Sequence, residues 1–442
     1  MTMLKNIPLR EVATFKYGKT IRKQDISTNG LYPVFSGYQI VGFDSKYAFE
    51  EPQLVIVCRG AGGTGDIKMS PEKCSITNLA IVINCDKEII DQDYLYWVLK
   101  LSDTYSLRTG SAQPQITIGS LENFRIEIIE DINTQKKISK ILSGLDNKIH
   151  LNNQINQTLE SIAQAIFKSW FIDFDPVRAK IVAKQEGKDP ELAAMCAISG
   201  KSEVELEQMS EGDFAELQAS AALFPDELVE SELGEMPKGW EVTRFNKIIL
   251  QYIDNRGKTP PTQIDGIPLL EVKHLPEGSL NPDLNTEKRV SLETFNNWFR
   301  AHLQEDDLII STVGTIGRLC IIPADKKLTI AQNILGLRFK KDEVNPLFMY
   351  YQMDSCKFRN DVNARLVITV QASIKRKDLE TIDLLKPDIN IQNVFAEKIK
   401  PFVLSQQSDE SLKLIDIRDT LLPKLLSGEV SVEDIKQQQD LA

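Results

Sequence analysis

One pattern of short β-branched runs, glycine turns and a long helical stretch occurs twice in this 442-residue chain, offset by about 254 to 258 residues. Leu54-Val-Ile-Val-Cys-Arg-Gly-Ala-Gly-Gly-Thr-Gly65 returns as Leu308-Ile-Ile-Ser-Thr-Val-Gly-Thr-Ile-Gly317. Each reads as a strand that opens into a tight loop. Tyr94-Leu-Tyr-Trp97 is matched by Phe348-Met-Tyr-Tyr351, and Gln115-Ile-Thr-Ile118 by Gln371-Ala-Ser-Ile374. Ile132-Asn-Thr-Gln135 and Ile389-Asn-Ile-Gln392 each open a long helical stretch. A period this long excludes a solenoid and implies a duplicated domain, each copy followed by its own helix.

The first helical stretch carries a heptad seam: Ile138, Leu142, Leu145, Ile149, Asn152, Asn156, Leu159, Ala163, Ile166 and Trp170 alternate steps of four and three. Two of these are asparagines, residues that cost stability at such positions but fix register. The second stretch is less regular, with Phe395, Ile399, Phe402, Gln406, Leu414, Ile417 and Leu421. Pro401 is expected to kink it and Pro423 to end it. Residues 133–172 as one helix reach about 60 Å. Two such helices bury their seams most simply against each other. The expected fold is therefore α+β: two duplicated domains of mixed and antiparallel strands with short helices, separated by a pair of long antiparallel coiled-coil helices, a pseudo-twofold dumbbell. The expected boundaries are 1–131, a first helix 132–172, an acidic connector 173–236, a second domain 237–388, a second helix 389–427 and a tail 428–442.

The formal net charge of −11 argues at first against a nucleic-acid partner. Residues 173–236 hold 16 Asp/Glu and 5 Lys/Arg, so this connector accounts for the whole imbalance. Within it, Ser202-Glu-Val-Glu205 and Ser210-Glu-Gly-Asp213 have capping-box spacing, and Ala-rich stretches near 191–198 and 214–223 favour helix. Pro237 is expected to break that helix and open the first strand of the second domain. The six cysteines contain no CxxC pair, which points to reduced thiols in a cytosol. No apolar run approaches the ~18 residues of a membrane span, and the N-terminus lacks a secretory pattern.

Catalytic apparatus is scarce. Gly60, Gly62 and Gly65 satisfy GxGxxG, with Asp86 about twenty residues on, but the 13 residues between Gly65 and Leu79 contain Pro71 and no helical period. Asn345-Pro-Leu-Phe348 resembles the NPP[FY] loop of amino-methyltransferases without its second proline, and reads better as a helix start. Walker A, HExxH and GxSxG are absent, and His150, His274 and His302 are isolated. The chain reads as a binder, with no catalytic or metal site.

Loops at equivalent places in the two halves carry residue types suited to DNA. The first half offers Arg59, Gly62 and Thr64, then Arg108, Ser111, Gln113 and Gln115. The second offers Thr312, Thr315 and Arg318, then Arg365, Thr369 and Gln371. Arginine matches the two acceptors of guanine, and glutamine the donor–acceptor pair of adenine. Lys19, Arg22, Lys23, Arg256, Lys258, Lys375 and Arg376 are candidates for phosphate contacts.

Four blocks in order resemble one family: Leu142-Ser-Gly-Leu-Asp-Asn-Lys-Ile149, Ala165-Ile-Phe-Lys-Ser-Trp-Phe-Ile-Asp-Phe-Asp-Pro-Val-Arg-Ala-Lys180, Phe224-Pro-Asp-Glu-Leu through Pro237-Lys-Gly-Trp240, and Arg418-Asp-Thr-Leu-Leu-Pro-Lys-Leu-Leu-Ser-Gly-Glu429. Over nearly its whole length the chain is similar to the specificity subunit of Type I restriction-modification systems. The resemblance implies two target-recognition domains, each reading half of a bipartite site in double-stranded DNA, with the helices as a ruler. It implies docking of two methyltransferase subunits and of restriction subunits, which would carry the S-adenosylmethionine, ATP and Mg. This chain would bind none of these cofactors. Arg418 is a candidate for methyltransferase docking on the same ground. A cytoplasmic location is expected, without a membrane partner. The alternatives are a structural coiled-coil adaptor and an orphan DNA-binding protein without a modification partner.

Overall fold

The computed structural model describes residues 4–60, 63–110, 113–255, 257–368, 371–406 and 410–433. Gly62, Ser111, Arg256 and Thr369 lie outside the described residues, as does the side chain of Lys23. In the first half the strands are β1 (Leu4–Pro8), β2 (Ala13–Tyr17), β3 (Tyr32–Phe35), β4 (Ile40–Asp44), β5 (Leu54–Val57), β6 (Ile67–Met69), β7 (Ser75–Ile76) and β8 (Ala80–Cys85). Helices α1 (Gln92–Leu101) and α2 (Ile118–Asn123), strand β9 (Arg125–Ile129) and the 40-residue α3 (Ile132–Phe171) follow. The acidic segment folds into α4 (Asp175–Glu186), α5 (Pro190–Ser199), α6 (Glu203–Glu207), α7 (Glu211–Ala222) and the hairpin β10 (Leu228–Ser231)–β11 (Gly234–Pro237).

The second half repeats the plan. Strand β12 (Glu241–Arg244) and α8 (Phe245–Ile248) lead into β13 (Ile249–Ile253), β14 (Ile267–Leu270), β15 (Arg289–Val290) and α9 (Leu292–Trp298). Strands β16 (Leu308–Ser311), β17 (Leu319–Ile321), β18 (Thr329–Ile330) and β19 (Ile334–Phe339) precede α10 (Pro346–Asp354) and α11 (Cys356–Asn363). Strands β20 (Val367–Ile368) and β21 (Ala372–Ser373), helix α12 (Arg376–Leu379), β22 (Asp383–Lys386), α13 (Ile389–Gln406) and α14 (Glu410–Leu426) complete the chain.

Duplication is visible strand by strand. Each half holds a four-stranded antiparallel sheet, ordered β2-β8-β5-β6 in one and β13-β19-β16-β17 in the other. Each holds a three-stranded sheet with one parallel pair, β4-β3-β7 and β15-β14-β18, and a pairing of first strand with last, β1-β9 and β12-β22. The apolar runs that entered as Leu54–Val57 and Leu308–Ser311 are central strands buried on both faces. Leu54 and Ile56 pack toward α1 and the start of α3, while Val55 packs toward Phe35, Cys74 and Ile76. Ile309 likewise faces Leu270 and Ile330, while Leu308 and Ile310 face Met349 and Phe395. The α+β class with two duplicated domains of mixed strands is as expected.

The chain forms two compact units, one of residues 1–153 with 409–442 and one of residues 154–408. In the first, Ile138 and Leu142 of α3 share a core with Leu425 and Leu426 of α14 and with Val432. The C-terminal residues up to 433 are thus built into this unit and do not form a free tail. Asp146 pairs with Arg418 at 2.6 Å, and Asn152 Nδ2 donates to Glu410 Oε2 at 3.0 Å. The partners run in opposite directions along the two helices, so the pairing is antiparallel. In the second unit, Phe167, Trp170 and Phe171 of α3 stack around Phe395 of α13, with Phe224 of the acidic segment and Trp240, just before β12, in the same cluster.

Three expectations change. Pro423 lies inside α14, which runs on for three residues to Leu426; its missing N–H removes one bond to the preceding turn, and the helix continues past it. Ile417 is 46% exposed. The inward position belongs to Arg418, four residues after Leu414 and three before Leu421, so the seam in α14 is polar there. Pro237 closes the β10–β11 hairpin, the acidic helices having ended at Ala222.

Candidate nucleic-acid interface

Within each unit the two candidate loops are brought side by side by backbone pairing. In the first, Cys58 O accepts from Ile116 N at 3.0 Å, and Gln115 bridges both Arg59 and Thr109. In the second, Thr312 O accepts from Ile374 N at 2.9 Å, Val313 bridges Ser373, and Gly314 N donates to Ala372 O at 3.1 Å. The same two segments meet in the same way in both copies, but Ser373 stands where Gln115 stands and Ile374 where Ile116 stands, so the sequence match of Gln115 to Gln371 is two residues out of register. Sequence alone placed the loops at equivalent points without showing that they touch.

The glycine turn joins β5 to the antiparallel β6, with Gly65 N donating to Val57 O at 2.8 Å. A dinucleotide fold needs a helix after that turn, so the GxGxxG spacing is a hairpin signature here. Gly60 has φ +142 and lies against Tyr38, where a Cβ would sit 2.0 Å from the phenol oxygen. Gly65 has φ +102 and lies against Tyr105. Asn345 caps α10 by accepting from Leu347 N and Phe348 N, with Pro346 in the first turn, as a helix start requires.

Tyrosines line the loops of each unit, and no local motif marks them. Arg59 lies over the Tyr17 ring at 5.4 Å, Arg108 over Tyr105 at 4.2 Å, and Arg376 over Tyr252 at 3.9 Å. Such stacking is worth about 0.5–1 kcal/mol at exposed sites and holds a planar guanidinium in one orientation. Burial, then Glu380, pushes the Tyr252 phenol up to about 12, and a hydrogen bond to Asp66 pushes Tyr105 up as well. Both platforms stay neutral at physiological pH. The missing signal is distance: Tyr17 and Arg59 are 42 residues apart, and only the sheet brings them together.

Other candidates serve the fold. Thr64 is 2% exposed, and its carbonyl accepts from Arg108 Nε at 2.5 Å, so it braces the loop and cannot reach a base. Arg318 donates to Leu275 O at 3.1 Å and pairs with Glu277 at 3.6 Å. Arg365 bonds Asp361 O and Thr381 Oγ1 at 2.8 and 3.1 Å. Thr312 is half-buried and spends its backbone groups on Asn333 and Ile374. Lys19, Arg22, Arg59, Arg108, Gln113, Gln115, Lys258, Thr315, Gln371, Lys375 and Arg376 are exposed. Arg418, the docking candidate, is held by Asp146 and Asp419 inside the helix pair. Among the described residues no cluster of three His, Cys, Asp or Glu is placed to hold a metal, and no helix is long and apolar enough to cross a membrane.

A duplicated α+β domain, each copy offering a paired loop set and each followed by a long helix, defines a class of bipartite DNA-specificity proteins. Residues 3–161 and 237–414 match the Type I restriction modification DNA specificity domain, and the chain belongs to that family. It is a specificity component and not itself the catalyst. It is 32% identical over 385 residues to the Type I restriction enzyme HindI specificity subunit of Haemophilus influenzae, covering 79% of this chain and 80% of that one. It is 20% identical over 429 residues to the MjaVIII specificity subunit of Methanocaldococcus jannaschii, covering 93% and 89%. Its fold resembles the crystal structure of the Type I restriction-modification S subunit from M. genitalium, with a TM-score of 0.57, 14% identity and 96% of each chain covered.

Proposed function

We propose that the paired loops of each unit read one half of an asymmetric, bipartite DNA target, and that the helices set the distance between the halves. The observation that carries this reading is the recurrence of the loop pairing, Arg59 and Gln115 in one copy and Val313 and Ser373 in the other. Arg59, Arg108, Gln113 and Gln115 are the bases' readers in the first unit and Gln371 in the second, where Arg376 is kept to the phosphates. Lys19, Arg22, Lys258 and Lys375 contact phosphates. Two methyltransferase subunits bind this chain, carry the S-adenosylmethionine and methylate adenine at the site that it selects. ATP- and Mg-dependent restriction subunits join the same assembly. Domain boundaries at 131, 172, 236 and 388 fit this division of labour, with 1–131 and 237–388 as the recognition domains.

The test is DNA binding by this chain assembled with its methyltransferase subunits. Arg59→Ala is expected to cost about 1–3 kcal/mol on the cognate site and relax one position of one half-site. Lys375→Ala is expected to weaken all sequences alike and lower the salt slope by about one. Sequence-independent loss from both variants contradicts the assignment, and binding without any selectivity favours the adaptor alternative.

A further inference from the structure

Glu160 of α3 is 5% exposed, yet its partners among the described residues are a phenol and two amides, with no cation. Tyr351 Oη of α10 donates to Oε2 at 3.1 Å. Gln406 Nε2 at the end of α13 reaches the same oxygen at 3.4 Å and also Asn156 O at 3.3 Å. Gln164 Nε2, one turn along α3, donates to Glu160 Oε1 at 3.1 Å and to Asp354 Oδ2 of α10 at 3.3 Å. Asp354 is itself paired with Arg359. One carboxylate therefore joins the long helix, the helix that packs on it and the recognition domain, all within the second unit. Apolar side chains surround the cluster: Ala163, Phe167 and Phe395.

An apolar seam with a heptad period is nearly indifferent to a slide of one repeat, because each knob finds a similar hole. A buried carboxylate is not indifferent, since away from its donors it is left charged and unsatisfied. Only one axial position on α3 sets Tyr351 and Gln406 on Glu160 together. We infer that Glu160 is the register residue of the second unit: by binding Tyr351 and Gln406 it holds the second recognition domain at one place along α3 and so restricts the enzyme to one spacer length. This rests on the ruler reading above, and it assigns the discrimination to a polar cluster that no base contact involves.

The experiment is methylome sequencing of a host expressing the full chain with its partners, comparing wild type with Glu160→Leu, Tyr351→Phe combined with Gln406→Leu, and Glu160→Gln. Glu160→Leu and the double variant are expected to keep both half-sites while methylation at neighbouring spacer lengths rises about tenfold, which corresponds to ~1.4 kcal/mol of lost discrimination. Glu160→Gln, which keeps a side chain able to accept both bonds, is expected to keep the wild-type spacer. Methylation confined to the wild-type spacer in the leucine or double variant overturns the proposal, and the double variant decides if Glu160→Leu does not assemble. A seven-residue insertion in α3 and in the helix paired with it is the control. If the insertion shifts the spacer while the Glu160 variants do not, the register role alone fails; if the insertion leaves the spacer unchanged, the ruler reading fails and takes this proposal with it.

Discussion

At the scale of single residues, the most informative pair is Gln135 and Gln392, both fully buried. Gln135 Oε1 accepts from Asp91 N at 2.9 Å, and its amide nitrogen donates to Ile129 O at 2.7 Å. Gln392 does the same for Asn345 N and Pro387 O, at 2.9 and 2.8 Å. Each glutamine satisfies the backbone where a recognition-domain helix begins and where the long helix departs. Gln135→Ala and Gln392→Ala are each expected to cost about 2 kcal/mol, because each strands a buried donor and a buried acceptor; chemical denaturation of the chain measures it, and a loss below about 0.5 kcal/mol contradicts the role. A second residue-scale expectation concerns pH. Burial raises the Glu160 carboxyl above its ordinary 4.5, against the pull of its hydrogen bonds. The stability that protonation confers is thus present below 4.5 and lost as pH rises through the folded value. Glu160→Gln is expected to melt above wild type at pH 7, with the gap closing toward pH 4.5; a gap unchanged across that range refutes the linkage. These glutamines were visible in the sequence only as members of a repeat. The reason for their identity, a hydrogen-bond debt at a buried junction, needs the folded chain. The same holds for Tyr17, Tyr105 and Tyr252, which no local motif marks as arginine platforms.

Elements were far more legible. The strand runs at 54–57 and 308–311, the capped helices at 202 and 210 and the long helix from 132 follow from periodicity and capping chemistry, which act over a few residues. What escaped was set by partners distant in sequence. Ile417 fits a heptad but faces outward, because Asp146 across the pair selects Arg418 for the inward place. Pro423 reads as a stop, yet the packing of Leu425 and Leu426 into the first unit's core carries the helix past it. The hairpin at 228–237 was missed because its turn, Glu232-Leu-Gly, sits in a segment whose composition speaks only of helix and charge. The helices also carry an expectation of their own. One added heptad lengthens a helix by about 10 Å, and DNA rises about 3.4 Å per base pair. Matching seven-residue insertions in α3 and its partner are therefore expected to lengthen the recognised spacer by up to about three base pairs with both half-sites intact, as read by methylation of a spacer library. An altered half-site would contradict a purely metric role.

For the molecule as a whole, the duplication is the organising fact. It was legible because two copies of one fold keep the same strand, turn and helix signals in the same order, and the paired sheets β2-β8-β5-β6 and β13-β19-β16-β17 now state it in topology. The net charge is equally a whole-chain property, and its concentration in 173–236 leaves the recognition halves balanced. Two units of like construction should read DNA independently of one another. The most direct measurement is the methylome of a host expressing this chain with its partners, set beside that of a variant in which Arg59, Arg108 and Gln115 are all alanine. The expected result is a motif of two fixed half-sites around an unspecified spacer, with one half relaxed in the variant and the other half and the spacer unchanged. A continuous motif, or a variant that changes both halves, would contradict it.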